Sequence, residues 1–587
     1  MMKERLVTCW LLETGLDSLF AHQEAIGHYL RVLEHLRQLG DDERLARTWM
    51  RLGLTYHNAF DYRRSRQAYD EGFAVWQRIG VALQESQAEA TLRLWQANPE
   101  SLDPPLIIDI RSAFWVGQLF SGLVEISDEM VVVPDVAQRW EIRDGGQTYI
   151  FYLREDAKWS DGQPVTAGDF ILAWRRMLDP RTPGWLAKQL FEIKGAQAFH
   201  LGKLSDENQL GLRAPDDVTL IVDLEQPASY FLYLLAAEYT FPVPQHMVKK
   251  LGDHWAEPER IVTNGPFMIT SWLPVKAARL ARNPYYHGAY SGNVSQVEVS
   301  LIDPAELWEE AMDHYSRGDV DVMEATGFPD NAFRLARTRY GEHYVNVPTL
   351  ATDGIVFNRR ISPLDDIRVR RALMVIDQAH YVRDLLQDQA APALGGWIPP
   401  GLPGHSPDIG LPCDPATARR LMAEAGYPEG RGFPPLDMVW FDGPLPRKEG
   451  SYLARVWQEQ LGITIRPVHV PFSEWNDLGN RPDLPAVYMI CWYADFPDPD
   501  NFLRTGLPEI VRTNRRFLEK IEAARVVTDQ RERLALYREV DKILIEEALI
   551  LPLRYTLRHF FVNPRVRKFP LTFYWKDFIV DPDRAGG

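Results

Sequence analysis

Cysteine is scarce in this chain of 587 residues, which contains three: Cys9, Cys413 and Cys491. Cysteines so few and so far apart build neither a disulfide framework nor a paired metal motif. Their scarcity leaves the cellular compartment open, because many exported bacterial proteins also have few cysteines.

An excess of positive charge is absent too, since 65 Lys and Arg face 81 Asp and Glu for a net charge of −16. There is thus no electrostatic case for binding nucleic acid or an anionic membrane. An apolar content of 45% and a charged content of 25% are typical of a soluble globular protein. The length exceeds the ~100–200 residues of one domain, so several domains are expected.

Long hydrophobic runs are missing as well. The N-terminal apolar run, Leu6 to Leu12, has about 7 residues, the lower end of the ~7–15 in a signal-peptide core. No small-x-small cleavage site follows it, and no apolar stretch precedes the lipobox-like Leu6 to Cys9. No other run approaches the ~18 residues of a membrane span. The chain as written therefore carries no export signal.

Enzyme signatures are also lacking. The sequence has no Gly-x-Ser-x-Gly, no His-Glu-x-x-His and no Cys-x-x-Cys. Asp495, Asp498 and Asp500 suggest a calcium loop, but the intervening prolines and the missing glycine and distal Glu argue against it. We expect no enzyme activity, no cofactor and no metal site.

The stretch from Val487 to Leu503 is what stands out. Its apolar run, Val487 to Ala494, is rich in β-branched and aromatic residues and predicts a buried strand. The run ends at Asp495, before a Pro/Asp turn. That carboxylate has two interpretations: an Asx-turn that starts the loop, or a fixed counter-charge for a cationic ligand group.

Residues 1–97 show helical periodicity and almost no strand signal. A helix-turn-helix pattern, with large residues on one face and small ones where two helices would cross, is formed by Trp49, Leu52, Gly53, Tyr56, Tyr62, Ser65, Tyr69 and Gly72. This pattern resembles a tetratricopeptide repeat, in which small residues lie where two helices cross. A plain amphipathic helical bundle is the alternative. Such repeats need neighbours to bury their faces, so the segment must lean on the next domain or be the remnant of a longer array.

Asn98 to Pro105 is the predicted boundary, after which strands and helices mix and indicate α/β architecture with more than one lobe. The predicted strands are 147–153, 218–224, 297–302 and 353–358, and the predicted helices are 167–177, 367–376, 415–425, 447–460 and 530–547. Thr166 and Asp169 form a weak capping box. Asn264-Gly265 is predicted to be a tight turn with positive φ.

Several sequence motifs, which occur in a fixed order, resemble those of a known family. They are Trp140-Glu141, Asp144-Gly145, Thr148 to Arg154, Lys158 to Phe170, Val262 to Phe267, Arg282 to Tyr286, Asp366 to Leu373, Trp492 to Asp495 and Asp498 to Phe502. Together they resemble the family 5 substrate-binding proteins of ABC importers, the oligopeptide- and dipeptide-binding group. The similarity runs from about Leu102 to Val580.

The resemblance implies an α/β, three-lobe periplasmic-binding-protein fold of type II at residues 98–587, after the all-α segment 1–97. The implied lobes are lobe I (98–120, 244–349 and 556–587), lobe II (121–243) and lobe III (350–555). Segments near Thr349 and Tyr555 would form the hinge, and closure of lobes I and III would enclose the ligand. Residues 98–587 are expected to fold and bind on their own.

In this family a peptide binds as an added strand. The resemblance places one backbone edge at Cys491, Trp492 and Tyr493, and the facing edge near Ile108 to Arg111, including Ile110. Asp495 falls on the family's Asp that holds the peptide α-ammonium. Aromatic pocket positions match Trp492, Trp475, Trp185 and, by the hinge, Tyr555, for each of which core packing is the alternative.

Two departures from the family concern cations that help to hold peptide C-termini. Met489 stands where oligopeptide binders carry an Arg, and a pocket Lys expected near Leu386 is absent. Arg447, Lys448 or Arg481 are substitutes, or simply solvated charges. Dipeptides, longer peptides and other amine-bearing solutes therefore all stay open, as does a ligand without a free carboxylate.

Two functions compete. The first is a peptide receptor that delivers its ligand to the permease and ATPase subunits of an ABC transporter, in an extracytoplasmic location. The second is a cytoplasmic ligand sensor that reuses the binding-protein fold behind a helical module for a protein partner. The missing export signal favours the second location if the start is the true one, and a truncated fusion or a misplaced start would give the same N-terminus.

Overall fold

The computed structural model describes residues 22–58, 62–79, 89–107, 109–127, 132–182, 186–204, 206–228, 230–302, 307–386, 389–400, 402, 404–407, 409–478, 481, 483–496, 498–527, 530–570 and 575–581. Its longer helices, α1 to α15, are His22–Leu39, Asp42–Asn58, Tyr62–Ile79, Ile110–Leu119, Ala167–Leu178, Ala196–His200, Gln245–Leu251, Trp308–Ser316, Asp330–Tyr340, Ile367–Leu373, Pro415–Glu424, Pro444–Leu461, Phe472–Asn476, Arg515–Val526 and Gln530–Glu546. The strands β1 to β11 are Ala90–Gln96, Val124–Ile126, Val132–Pro134, Ala137–Arg143, Thr148–Leu153, Leu212–Asp216, Thr219–Asp223, Phe267–Leu273, Ala277–Arg282, Val294–Leu301 and Val322–Glu324. The strands β12 to β19 are Tyr344–Phe357, Ala390–Pro392, Leu436–Phe441, Ile465–Val470, Val487–Tyr493, Ile550–Val562, Val566–Lys568 and Ile579–Val580.

The described chain divides into two compact units. The first comprises the described residues up to 325, residues 340–345 and those from 560 onward, and the second comprises 326–339 and 346–559. Residues 121–243, expected to form a lobe of their own, belong to the first unit, and 326–339, expected in lobe I, belong to the second. Strands β12 and β17 each carry the chain from one unit into the other.

Three helices open the described part of the first unit. Helices α2 and α3 cross where Gly53 meets the ring of Tyr69, so closely that a Cβ on Gly53 would lie 2.7 Å from it. Tyr69 and Phe73 in turn pack edge-on against Trp140 of β4, with ring centroids 5.0 and 4.9 Å away. Arg66 adds an ion pair of 3.3 Å with Glu141. The helical segment therefore buries its face on the α/β part of the same unit.

The prediction that residues 1–97 contain almost no strand is wrong for Ala90–Gln96. These residues form β1, which pairs in parallel with β10 and also borders β11. Its side chains alternate between buried and half-buried up to Leu94, after which Trp95 is buried as well. A strand that pairs with residues about 200 positions away has no local signal of its partner, and helical periodicity just before it hid the change.

Besides the two-stranded sheets β2-β3 and β18-β19, the described part of the first unit contains two larger sheets. One has the strand order β11-β1-β10-β9-β8, with residues 560–562 of β17 beside β11, and the other is four-stranded with the order β4-β5-β7-β6. The predicted capping box of α5 is present, because Thr166 and Asp169 exchange hydrogen bonds at the helix start. The predicted positive φ at Gly265 is not found: glycine is needed there because a Cβ would lie 2.5 Å from the backbone of Leu119 and Phe120.

The second unit is built on a sheet with the strand order β15-β14-β16-β12-β17, and β13 lies beside β17. One apolar cluster, which includes Ile355, Trp440, Trp457 and Met489, lies on one side of β16, and another, with Val356, Tyr488 and Phe502, lies on the other. The predicted helices α5, α10, α11, α12 and α15 and the predicted strands β5, β7, β10, β12 and β16 are confirmed. No described helix is long and apolar enough to span a membrane.

Candidate functional site

Strand β16 has one fully paired edge and one partly paired edge. It runs antiparallel to β12 along its whole length, from Val487 opposite Phe357 to Tyr493 opposite Ala351. On its other side it pairs with β14 only at Val487 and Tyr488. Within the described residues, the edge from Met489 to Tyr493 therefore has no strand partner.

The hydrogen-bond pattern decides which residues face that edge. Ala494 N–H donates to Leu350 O at 2.8 Å, which makes this a hydrogen-bonded pair of the antiparallel ladder. Because such pairs alternate, Trp492 also turns its backbone toward β12, whereas Cys491 and Tyr493 turn theirs toward the open edge. The expected backbone edge is thus formed by Cys491 and Tyr493, and Trp492 contributes no main-chain group to it.

Trp475 lies at the Met489 end of the open edge. Its indole N–H donates to Met489 O at 3.0 Å, so that carbonyl is already used. The Trp475 ring lies 5.0 Å from Phe441 and 5.5 Å from Phe472, whose side chain is exposed. Trp475 is thus a half-buried side chain that borders the edge of β16, and the exposed Phe472 lies next to it.

Asp495 follows directly after the strand and is oriented by Asn501. The Asn501 amide donates to Asp495 Oδ2 at 2.8 Å, and its carbonyl oxygen accepts from the Asp495 N–H at 3.1 Å. The same oxygen accepts the indole N–H of Trp492 at 2.9 Å. Asn501 is fully buried. One amide side chain therefore fixes both the carboxylate and the indole beside it.

The acidic turn beyond Asp495 is held by arginines. Arg533 donates to both oxygens of Asp498, at 3.0 and 2.8 Å, and Arg504 donates to Asp500 at 2.7 Å. Although burial opposes ionisation, the charges of Arg504 and Arg533 hold the pKa of Asp500 below its usual range. Both carboxylates are thus structural. Among the described residues, no group of three or more His, Cys, Asp or Glu is placed to hold a metal ion.

Two of the other predicted site residues lie at a helix start. Asp109 caps helix α4, and Ile110 and Arg111 are its first residues, both exposed. The extended facing edge expected here is therefore wrong for these two positions, because Asp109 accepts the Ser112 N–H and starts a helix instead. Trp185 lies outside the described residues.

Tyr555 is buried in β17. Its hydroxyl donates to Gly396 O at 3.1 Å, and only 6% of the residue is exposed. Burial raises the pKa of this hydroxyl above its ordinary value. The side chain is thus fully engaged within the second unit, as the core-packing alternative requires.

The two positions at which the family's cations are absent are occupied by buried apolar residues. Met489 and Leu386 are both buried in the same apolar cluster. The three substitutes each pair with a carboxylate: Arg447 with Asp442, Lys448 with Asp330 and Arg481 with Asp483. Each of the three cations is thus already paired with a carboxylate of the chain itself.

The chain is similar to known proteins over about four-fifths of its length. A model of the bacterial extracellular solute-binding proteins, family 5 (middle region), matches residues 131–509. The chain is 32% identical over 492 residues to the probable deoxycholate-binding periplasmic protein YgiS of Escherichia coli, covering 81% of this chain and 89% of that protein. It is 29% identical over 500 residues to the E. coli periplasmic oligopeptide-binding protein OppA, covering 83% and 90%.

Solved structures show the same likeness. A periplasmic oligopeptide-binding protein of Borrelia burgdorferi superposes with a TM-score of 0.73 at 25% identity, covering 84% of this chain and 99% of that one. The OppA of Burkholderia pseudomallei gives a TM-score of 0.72 at 29% identity, with the same coverage.

Proposed function

The chain belongs to the family 5 bacterial extracellular solute-binding proteins, and from this premise we propose that it binds peptides as the substrate-binding component of an ABC transport system. The α/β periplasmic-binding-protein fold predicted from its sequence is confirmed by the solved structures it matches. Relatives over four-fifths of the chain are named for oligopeptide or murein peptide binding. The permease and ATPase subunits implied by the family would be its partners.

The observation that carries the proposal is the open edge of β16. The N–H and C=O groups of Cys491 and Tyr493 face it, so an extended peptide can pair there through main-chain hydrogen bonds. Main-chain pairing reads no side chain. It therefore suits a receptor for peptides of varied sequence.

Asp495 supplies the charge at the end of that edge. A peptide α-amine has a pKa near ~8 and is cationic at neutral pH, so a fixed carboxylate is its natural partner. Asn501 holds the Asp495 carboxylate in place through a 2.8 Å hydrogen bond. A preoriented carboxylate loses little side-chain freedom when the ammonium arrives.

The helices of residues 22–79 supply the second part of the proposal. We propose that they are a tetratricopeptide-like module, which the close crossing of Gly53 and Tyr69 supports. A helical module on a binding-protein fold also suits a ligand sensor with a protein partner. A chain that binds peptides but takes no part in their transport would have this second function.

Deoxycholate is the competing ligand, because one relative is named as a probable deoxycholate binder. It is an acid without an amine, and Asp495 would repel its carboxylate. An amine requirement in the ligand therefore separates the two ligand classes.

The test is calorimetric titration of the full chain with two- to five-residue peptides, each as free amine and N-acetylated, and with deoxycholate. Asp495→Asn should weaken free-amine peptides more than tenfold, about 1.4 kcal/mol, and leave acetylated peptides nearly unchanged. Asp483→Asn, at an exposed carboxylate paired with Arg481, is the matched control and should change neither. Equal losses for both peptide forms would remove the ammonium role, and binding of deoxycholate alone would overturn the peptide proposal.

A further inference from the structure

A buried charged cluster lies on the face of the sheet that carries the side chains of Cys491 and Tyr493. Asp353 of β12 stands directly opposite Cys491. Because the pairs on either side of it are hydrogen-bonded, this pair belongs to the kind whose side chains approach most closely. Burial, together with the nearby Asp353 charge, raises the pKa of the Cys491 thiol well above its usual value.

Three further side chains complete the cluster. The Arg554 guanidinium donates to Asp353 Oδ2 at 2.7 Å and also contacts the Glu449 carboxylate. The Tyr381 hydroxyl donates to the same Glu449 oxygen. Asp353 is 4% exposed and Glu449 is completely buried. These groups come from four separate elements of the second unit and meet beneath one face of β16 and β12.

The cluster is short of positive charge. It contains two carboxylates and one guanidinium. The Cys491 thiol is a hydrogen-bond partner of the Asp353 carboxylate, whereas Glu449 Oε2 has no hydrogen-bond partner among the described residues. A buried carboxylate oxygen without a partner is costly, because it has lost its hydrogen bonds to water and gained none in return. Burial raises the pKa of Glu449, as expected for a carboxyl group that lacks sufficient compensating charge. A proton or one further cation would balance the cluster.

The cluster lies within reach of the open edge. Neighbouring strands are about 5 Å apart, so a ligand strand beside β16 would run ~10 Å from β12 and Asp353. Cys491, the residue between them, is small and half-buried, whereas Tyr493 is 43% exposed at the outer end of the same face. A long side chain that leans across Cys491 would bring its terminal group toward Asp353, the less buried of the two carboxylates.

We propose that Asp353 and Glu449 form a subsite that selects ligands with a basic side chain, whose ammonium or guanidinium group supplies the missing cation. This inference rests on the proposed peptide binding and adds to it a preferred ligand class. The long apolar stem of lysine or arginine suits the path over Cys491, and its charged end suits two buried carboxylates. A metal ion is a poorer match, since the cluster offers only two acidic ligands and the described residues add no third.

The test uses alanine tetrapeptides in which lysine or norleucine occupies one position at a time, titrated into the full chain. Successive side chains of a strand point to opposite faces, so only alternate positions reach the cluster. We expect lysine to bind at least tenfold tighter than norleucine at one position or at two positions two apart, and equally at the others. Equal affinities at every position would overturn the inference while leaving the proposed function standing. Absence of any binding would overturn both.

Substitution of each cluster carboxylate tests whether the cluster causes the preference for lysine. Glu449→Gln keeps an acceptor for Tyr381 and removes one charge, and Asp353→Asn does the same beside Arg554. Each should abolish the lysine preference and leave norleucine affinity unchanged. Asp437→Asn, at an exposed carboxylate on β14 paired with Arg466, is the control and should keep the preference. A preference retained in both cluster variants would contradict the assignment.

Proton release gives a readout that needs no variant. If a ligand cation replaces a proton on the cluster, the lysine peptide should release more protons on binding than the norleucine peptide. Calorimetry in two buffers of different ionisation enthalpy measures that difference. Equal release at equal affinity would indicate a cluster that serves the fold alone.

Discussion

At the residue scale, the candidate site depends on Asn501 as much as on Asp495. The end of a strand-like apolar run draws attention to Asp495, and the family resemblance assigns it the role of ammonium partner. The sequence does not predict Asn501, whose amide reaches back six residues only after the turn has folded. The same holds for Asp353, Glu449 and Arg554, which approach each other only through the sheet. Side chains brought together by tertiary structure leave no spacing in the sequence to detect.

The buried carboxyl group of Asp541 predicts that the stability of the fold depends on pH. Burial raises the pKa of Asp541 to about 7, although the amides of Trp397 and Ile398 donate to it. The folded state therefore holds a proton that the unfolded state, with an ordinary pKa of 3.8, has lost. Stability from this group is full below pH ~4 and is lost as the pH rises through 7, on the order of 4 kcal/mol in all.

Asp541→Asn should remove that loss, because a neutral amide keeps an acceptor for Trp397 without titrating. Scanning calorimetry from pH 4 to 8 should show wild-type and variant with similar thermal midpoints at pH 4, and the variant increasingly the more stable up to pH 8. Parallel curves across the range would show that Asp541 stays ionised or stays protonated throughout.

At the element scale, the sequence predicts most helices and strands but not their pairing. The apolar run of β16 is visible, yet the choice of Cys491 and Tyr493 for the open edge depends on its register with β12, and a shift of one residue would reverse it. Strand β1 has no recognisable signal in the sequence for a related reason. Its burial comes from β10, about 200 residues later, so tertiary pairing overrides its local pattern.

The crossing of α2 and α3 makes an element-scale prediction. Alanine is ordinarily up to about 1 kcal/mol better than glycine inside a helix. At Gly53, however, a Cβ would lie 2.7 Å from the ring of Tyr69, which is itself held against Trp140. Gly53→Ala should therefore destabilise the pair by about 1–3 kcal/mol, as overpacked cores do.

Hydrogen exchange of the amides in α2 and α3 measures this local stability. Gly27→Ala in α1 is the matched control, because its nearest neighbour, the Arg31 guanidinium, is 3.9 Å from the added Cβ. That substitution should slow exchange in α1. Faster exchange for both, or for neither, would show that the Gly53 contact does not limit the packing.

At the scale of the whole molecule, β1 decides where the binding domain can be cut. A fragment that starts at residue 98, as the sequence boundary suggests, loses the strand between β10 and β11. It also leaves the buried Asp321 without Arg93, whose backbone and guanidinium both bond to it. Removing a central strand exposes two paired edges and the core beneath them. Contrary to the expectation from the sequence, fragment 98–587 should therefore be insoluble.

Fragment 89–587 keeps β1 and is the matched comparison. It lacks α1 to α3, so Trp140 loses the cover of Tyr69 and Phe73 but every strand keeps its partner. We expect it to fold, with lower thermal stability, and to bind free-amine peptides with the affinity of the full chain, because Asp495 and the β16 edge lie in the second unit. Soluble, peptide-binding 98–587 would show that β1 is dispensable. Loss of binding in soluble 89–587 would instead make the helical module part of the receptor.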